Sequence, residues 1–214
     1  HTRENIKIDG LLNESIWENA EPLNIYIPIT HKNPLSKTEA KLLWSKDYLY
    51  VGFKAYDKDI YSYFTKRDDT TCLEDVLEIF FKTDPQKEPY YNFEINALGT
   101  IYDAFTVKRG IGNNRWKQWN CKGLKIGVKV EGTLNNYEDI DKYWQLEVAI
   151  PFKSLSTLKG KGNPISGDMW LFHLSRYDYS VYLPDGVELS SCAPLSKVDF
   201  HYSKRSFLDI SGWI

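Results

Sequence analysis

Long helical patterns are almost missing from this sequence: outside two short stretches, apolar residues do not recur at the three- and four-residue spacing of an amphipathic helix. That argues against all-α and α/β architectures. Also missing is any run of about 18 apolar residues, the minimum for a helix that crosses a bilayer. The amino-terminal His1-Thr2-Arg3-Glu4 lacks the charged-then-apolar layout of a signal peptide. The chain therefore reads as a soluble domain without membrane insertion, compatible with a mature secreted fragment whose leader has been removed.

A dominant charge is absent too. Against 27 Lys and Arg stand 29 Asp and Glu, a net charge of -2, so no strong field draws in nucleic acid or an anionic membrane. Cysteine is scarce: Cys72, Cys121 and Cys192 are far apart with no CxxC pair, which excludes a zinc ribbon or thioredoxin-like site and allows at most one internal disulfide. Catalytic signatures are lacking as well, with no HExxH, no GxSxG, no P-loop and no GxGxxG ahead of a helix. Glu78 and Glu94 are a pair of carboxylates of the kind glycosidases use, but nothing in the sequence builds a deep cleft or an apolar pocket around them. An enzyme is not expected.

What the sequence has in abundance is aromatic side chains, 15 Tyr, 10 Phe and 7 Trp, set in strict alternation. Over residues 48–57, Leu49, Val51, Phe53 and Ala55 form one face of a strand. Leu77, Ile79 and Phe81 do so in 75–83, and Tyr91, Phe93 and Ile95 in 90–97, with the polar stretch 84–89 closing a hairpin between them. Further strands are expected at 23–29, 39–45, 101–108, 124–131, 143–150, 169–176 and 207–210. Short helices are expected at 13–20, capped by Asn13, and at 151–158, opened by Pro151. With no repeat or linker, residues 1–214 read as one all-β domain, an antiparallel β-sandwich of the jelly-roll or immunoglobulin-like kind. Its longest irregular stretches are 109–123 and 177–202, where binding groups tend to sit.

Alternation also selects site candidates. Glu78, Asn92, Glu94 and Asn96 fall on the outward side of neighbouring strands, a mix of acceptors and amides that suits sugar hydroxyls and equally suits a solvated face. Arg67 and Arg176 are candidates for bidentate donation to vicinal hydroxyls or for rim salt bridges. Trp17, Trp44, Trp144 and Trp170 sit in regular elements and are expected in the core.

Six motifs occur in order: Ile8-Asp9-Gly10 with Glu14 and Trp17, Leu43-Trp44 with Tyr48-Leu49-Tyr50-Val51, Asp75-Val76-Leu77-Glu78-Ile79-Phe80, Phe93-Glu94-Ile95-Asn96, Trp144-Gln145-Leu146-Glu147-Val148, and Gly167-Asp168-Met169-Trp170 through Arg176. This succession resembles that of the family 9 carbohydrate-binding modules. The resemblance implies a non-catalytic domain that holds an oligosaccharide or polysaccharide, with Glu78 at the place of a ligand-contacting glutamate. It also implies an extracellular, cell-surface or periplasmic location, alongside other domains of a larger secreted protein.

Calcium stabilises some members of that family, and the acidic pair Asp57 and Asp59 is the candidate for it, with Asp68, Asp69, Asp139 and Asp141 as further oxygen donors. The family's reducing-end binders clamp the sugar between two tryptophans. Mapping that pattern onto this chain places Cys72 and Cys192 at the two positions, so the two-tryptophan clamp is absent, and the two cysteines are either a disulfide or two unrelated thiols. Trp116 and Trp119 then become the substitute platform, backed by Tyr61, Tyr63 and Tyr182. Two other readings stay open: a haem-binding domain like the family's DOMON relatives, with His173 or Met169 as axial ligand, and a structural or protein-interaction module.

Overall fold

Ten antiparallel strands make up almost all the regular structure of the computed structural model, which describes residues 1–3, 6–26, 33–108, 119–156, 163–165 and 167–180, and the backbone of 196–203. They are β1 (Pro22–Tyr26), β2 (Thr38–Trp44), β3 (Tyr48–Tyr56), β4 (Val76–Lys82), β5 (Tyr90–Asn96), β6 (Ile101–Thr106), β7 (Lys125–Glu131), β8 (Tyr143–Pro151), β9 (Leu171–Ser180) and β10 (Ser196–Ser203). Sheet A has the order β1-β2-β3-β8-β7 and sheet B the order β6-β5-β4-β9-β10-β1. Strand β1 belongs to both: Pro22, Leu23 and Asn24 pair with β2, whereas Ile25 and Tyr26 pair with β10. The two sheets pack face to face as the expected sandwich.

The alternating apolar residues fill the space between them. From sheet A come Val51, Phe53, Ala55, Trp144, Leu146, Val148 and Ile150; from sheet B come Leu77, Ile79, Phe81, Tyr91, Phe93, Ile95 and Leu174, all in one buried cluster. Directly opposed pairs such as Val51 with Val148 and Ile79 with Phe93 set the register, because a slip of one residue would turn each apolar set toward solvent. Trp170 stacks on Phe81 with ring centres 5.7 Å apart and closes the end of this core.

A second, smaller cluster lies on the outer face of sheet A, where Trp17 and Ala20 pack on Leu43, Tyr50 and Ala149. Its lock is polar. Glu147, fully buried, accepts the Trp17 indole N–H at 2.9 Å and the backbone N–H groups of Asp9 and Gly10 at 3.0 and 2.9 Å. Gly10 adopts φ +85°, and a Cβ there would stand 2.5 Å from the Val128 carbonyl carbon. A Cβ on Gly127 would likewise stand 2.5 Å from the Gly10 nitrogen, so the two backbones touch because neither residue has a side chain. This contact explains in physical terms why Asp9-Gly10, Trp17 and Glu147 recur as separate motifs of one unit.

Several expectations are corrected. The helix expected at 13–20 is one turn, Ser15–Glu18, preceded by Glu14 rather than capped by Asn13, and the one at 151–158 shrinks to a 3-10 turn, Phe152–Ser154, because Pro151 still holds the extended backbone of β8. Part of the stretch 177–202, read as irregular, is strand, as β9 runs on to Ser180 and β10 begins at Ser196. The strand expected at 207–210 lies outside the described residues. Trp44 is not core: at the last residue of β2 it is 47% exposed, with its ring edge-on to His1.

Candidate functional site

Strand register on sheet B lines up one residue from each of four strands. Ser175 on β9 is opposite Glu78 on β4, Glu78 is opposite Glu94 on β5, and Glu94 is opposite Tyr102 on β6. In the next row, His173, Phe80, Asn92 and Ala104 are matched in the same way. All point away from the core, since their strand neighbours Leu77, Ile79, Phe93, Ile95 and Leu174 point into it. The outer face of sheet B thus carries a band of hydroxyl, carboxylate and amide groups, nearly all of them buried.

The band is wired internally. Ser175 donates its hydroxyl to Glu78 Oε2 at 2.5 Å, and Asn92 donates Nδ2 to Glu94 Oε1 at 2.7 Å. Asn92 is 4% exposed, yet its Oδ1 has no hydrogen-bond partner among the described residues. An acceptor left unmet in such a place costs about 1–3 kcal/mol unless a ligand or solvent donor fills it. Phe80 is half-buried within the second row, Tyr90 and Tyr177 are half-buried beside the band, and Phe80 meets the His173 ring edge-on at 5.8 Å. Acceptors on a floor flanked by aromatic rings are what a pyranose requires: hydrogen bonds for its hydroxyls and flat apolar surface for its C–H faces.

The other candidates separate. Asn96 is on the same face but is committed to the fold, donating Nδ2 to Glu74 Oε1 at 2.5 Å and to the Phe64 carbonyl at 2.8 Å while Oδ1 accepts the N–H groups of Leu98 and Thr100. It pins the 61–74 segment to the end of β5. Arg67 pairs with Asp103 and donates Nε to Asn120 Oδ1 at 2.7 Å, so it ties that segment to β6. Trp119 packs on Tyr91 and Phe93, with ring centres 5.1 and 6.0 Å away, and covers the inner face rather than forming a platform. Of the rings behind it, Tyr61 is buried and Tyr63 is 59% exposed. Trp116, Tyr182 and Cys192 lie outside the described residues. Cys72 is half-buried at the rim, where its carbonyl accepts the Tyr179 hydroxyl at 3.1 Å. Cys121 is buried under β6 and its thiol is pushed up to about 12, first by burial and then by the charge of Asp103.

Arg176 is the largest correction. It is 0% exposed and points between the sheets, where Nη2 donates to Asp57 Oδ2 at 2.5 Å and Asp178 Oδ1 at 2.8 Å, and Nη1 donates to the Tyr56 carbonyl at 2.7 Å and Thr38 Oγ1 at 3.2 Å. Its guanidinium therefore bridges the sheets and does not face a ligand. Asp75 completes the cluster, its oxygens accepting the N–H groups of Tyr61 and Tyr179, and the carboxylates of Asp57, Asp75 and Asp178 approach within 4.8 Å of one another. Burial, reinforced by the charges of Asp178 and Asp75, holds the Asp57 carboxyl well above its usual range, and burial with Asp178 does the same to Asp75.

Asp57 and Asp59 do not fit a calcium cage. One Asp57 oxygen is taken by Arg176 and the other by the Asp59 N–H, while both Asp59 oxygens receive the Ser180 hydroxyl at 2.7 and 2.8 Å. Calcium asks for six to eight oxygens around one point; here a guanidinium already supplies the positive charge. For the haem reading, His173 is packed against Phe80 in the polar band and Met169 is 69% exposed ahead of β9, so the two do not line one apolar slot.

Sequence reasoning missed Ser175, Tyr102 and Phe80. Alternation along β9 and β6 places Ser175 and Tyr102 outward, but only the cross-strand register shows that they flank Glu78 and Glu94.

Comparison with known proteins meets this geometry from the other side. No curated protein matches the chain. Among solved structures, a family 9 carbohydrate-binding module from Caldicellulosiruptor kristjanssonii in complex with cellotriose superimposes with a TM-score of 0.56 at 19% identity, covering 94% of this chain and 80% of that one. A proposed carbohydrate-binding protein from Bacteroides uniformis gives 0.57 at 13% identity, covering 88% and 79%. At such identities the likeness is one of fold. The family model described as carbohydrate family 9 binding domain-like matches residues 8–175, from the Gly10 turn to the serine that hydrogen-bonds Glu78, and the chain belongs to that family.

Proposed function

We propose that this domain binds an oligosaccharide on the outer face of sheet B, over Glu78, Glu94, Asn92, Ser175 and Tyr102, and does no chemistry on it. The observation that carries the reading is the unmet Asn92 Oδ1 beside two carboxylates, because fold stability alone gives no reason to gather acceptors there. Family membership supports it, as does the cellotriose bound by the superimposable module.

In this reading the domain acts without a two-tryptophan clamp: among the described residues, the half-buried rings at the band include Phe80, Tyr90 and Tyr177. Catalysis is disfavoured by direction. A glycosidase's two carboxyl groups flank the scissile bond, whereas Glu78 and Glu94 rise side by side from one sheet face. An extracellular, surface or periplasmic role as a targeting domain of a larger protein follows from this reading.

The test is calorimetry against a panel of oligosaccharides, cellotriose included, with the wild type and Asn92→Ala. The reading expects saturable binding by at least one glycan that weakens in the variant. A panel without any heat of binding, or binding indifferent to Asn92→Ala, overturns it.

A further inference from the structure

A cavity of about 680 Å³ opens on the outer face of sheet A, across the sandwich from the polar band. Its floor follows from strand register: Leu43, Tyr50, Ala149 and Lys125 are matched across β2, β3, β8 and β7. Ala149 is the small residue of that row, and its short side chain between Tyr50 and Lys125 makes the floor concave. The amino-terminal segment forms the wall. The Thr2 N–H donates to the Trp44 carbonyl at 2.8 Å, which holds that segment at the end of β2, and Ile6 and Ile8 pack on the Trp17 cluster. Such a volume lies in the range of small-molecule sites and is far more than one inorganic ion fills.

Cations dominate the rim. Arg3, Lys46 and Lys125 line the cavity with exposed side chains, against one carboxylate, Asp47. Among the described residues none of these three cations is paired with a carboxylate, whereas Lys7, further along the same segment, is held by Asp9 at 2.8 Å. Lys125 lies over the Tyr48 ring with its ammonium 5.1 Å from the ring centre, and Tyr50 stands 5.9 Å from Tyr48. An aromatic face orients an ammonium without taking up its N–H donors as a carboxylate would. Guanidinium and ammonium groups have no acceptor, so a ligand that fits this rim brings acceptors and negative charge.

We infer that this cavity is a second binding site, for a hexuronic acid unit whose carboxylate meets Arg3, Lys46 and Lys125 while a C–H face of its ring lies on Ala149, Ile6 and Ile8. A neutral oligosaccharide stays on sheet B. The choice of a saccharide rests on the proposed function; the choice of an anion rests on the cavity alone.

The experiment compares cellotriose with its carbon-6 carboxylate counterpart, the β-1,4 glucuronic acid trimer, each titrated into the intact domain while amide shifts are followed residue by residue. The acidic trimer should move the amides of Tyr48, Tyr50, Ala149 and Lys125, which cellotriose leaves in place. Its affinity should fall about tenfold or more between roughly 20 mM and 200 mM salt. Lys46→Gln and Lys125→Gln should each weaken it about threefold, and the double variant about tenfold. Both side chains are exposed, and thermal melts confirm folding. An acidic trimer that leaves those amides unmoved, or that binds the double variant as well as the wild type, overturns the inference. Sodium sulfate that moves the same amides at the same concentrations makes the cavity a general anion site and overturns it too. Absence of shifts on sheet B with every neutral glycan would instead overturn the proposed function, since the two faces report through separate amides.

Discussion

Glu78 and Glu94 stand directly opposite each other on neighbouring antiparallel strands, 3% and 5% exposed, with Glu78 accepting the Ser175 hydroxyl and Glu94 the Asn92 amide. Two like charges directly opposed across a strand pair oppose folding, and Ser175 and Tyr102 flank them in the same row. On the proposed function, keeping them trades stability for a binding surface.

That trade predicts opposite signs for stability and binding. Glu94→Gln keeps the shape and removes one of the two like charges, so the melting temperature should hold or rise, by up to about 1 kcal/mol of stability. Glycan affinity should fall about tenfold or more. Thermal unfolding and calorimetry on the same preparation check both; a variant that loses stability and keeps its affinity would make the pair structural.

Arg176 should behave in the opposite way. Arg176→Met strands the buried Asp57, Asp75 and Asp178 without their cation, and breaking a buried pair from one side costs about 3–5 kcal/mol. Chemical denaturation should show that loss. Because the guanidinium already fills the cluster, adding a chelator to the wild type should leave the unfolding midpoint unmoved; a marked drop would mean that a metal, not Arg176, neutralises it.

Why Arg176 misleads a reader of sequence, while the strands do not, is a matter of which information is local. Period-two alternation in Val51, Phe53 and Ala55 or in Ile79 and Phe81 is written within a few residues, and burial on one face follows from it. The inward turn of Arg176 depends on Asp57, 119 positions earlier, and on Thr38, 138 positions earlier, so its charge argued for the outside until the fold brought its partners together. Glu78, Asn92 and Glu94 were legible as an outward set for the same local reason that Asn96 was. What separates Asn96 from them is that the 61–74 segment takes both donations of its Nδ2 while the turn after β5, through the Leu98 and Thr100 N–H groups, fills its Oδ1.

Stability should fall as pH rises from the acid side. Burial raises the Asp57, Asp75, Asp103 and Glu147 carboxyl groups in the folded state, so each keeps its proton above the pH at which the unfolded chain has released it. In that window the folded protein binds more protons than the unfolded one, and stability therefore declines with increasing pH. Melting temperatures should decrease from about pH 5 toward about pH 8. A melting temperature that climbs across that interval contradicts the buried-acid picture.

The lock on the outer face of sheet A should be brittle. Gly10→Ala or Gly127→Ala drives a Cβ to 2.5 Å from backbone and should cost about 2–4 kcal/mol. Glu147→Ala leaves the Trp17 indole and two backbone N–H groups unmet, roughly 3 kcal/mol or more. Since sheet B does not use this contact, glycan affinity measured well below the melting temperature should survive all three changes. Affinity lost with the Gly10 turn would place the ligand on sheet A.

Amide chemical-shift mapping during titration with a bound oligosaccharide tests the central claim most directly. Placement of the sugar on the outer face of sheet B predicts that the largest shifts cluster at residues 78–80, 92–94, 102 and 173–177, on four strands that meet only there. Shifts gathered instead around Tyr48, Tyr50 and Lys125 on the outer face of sheet A, or none at saturating ligand, would contradict it.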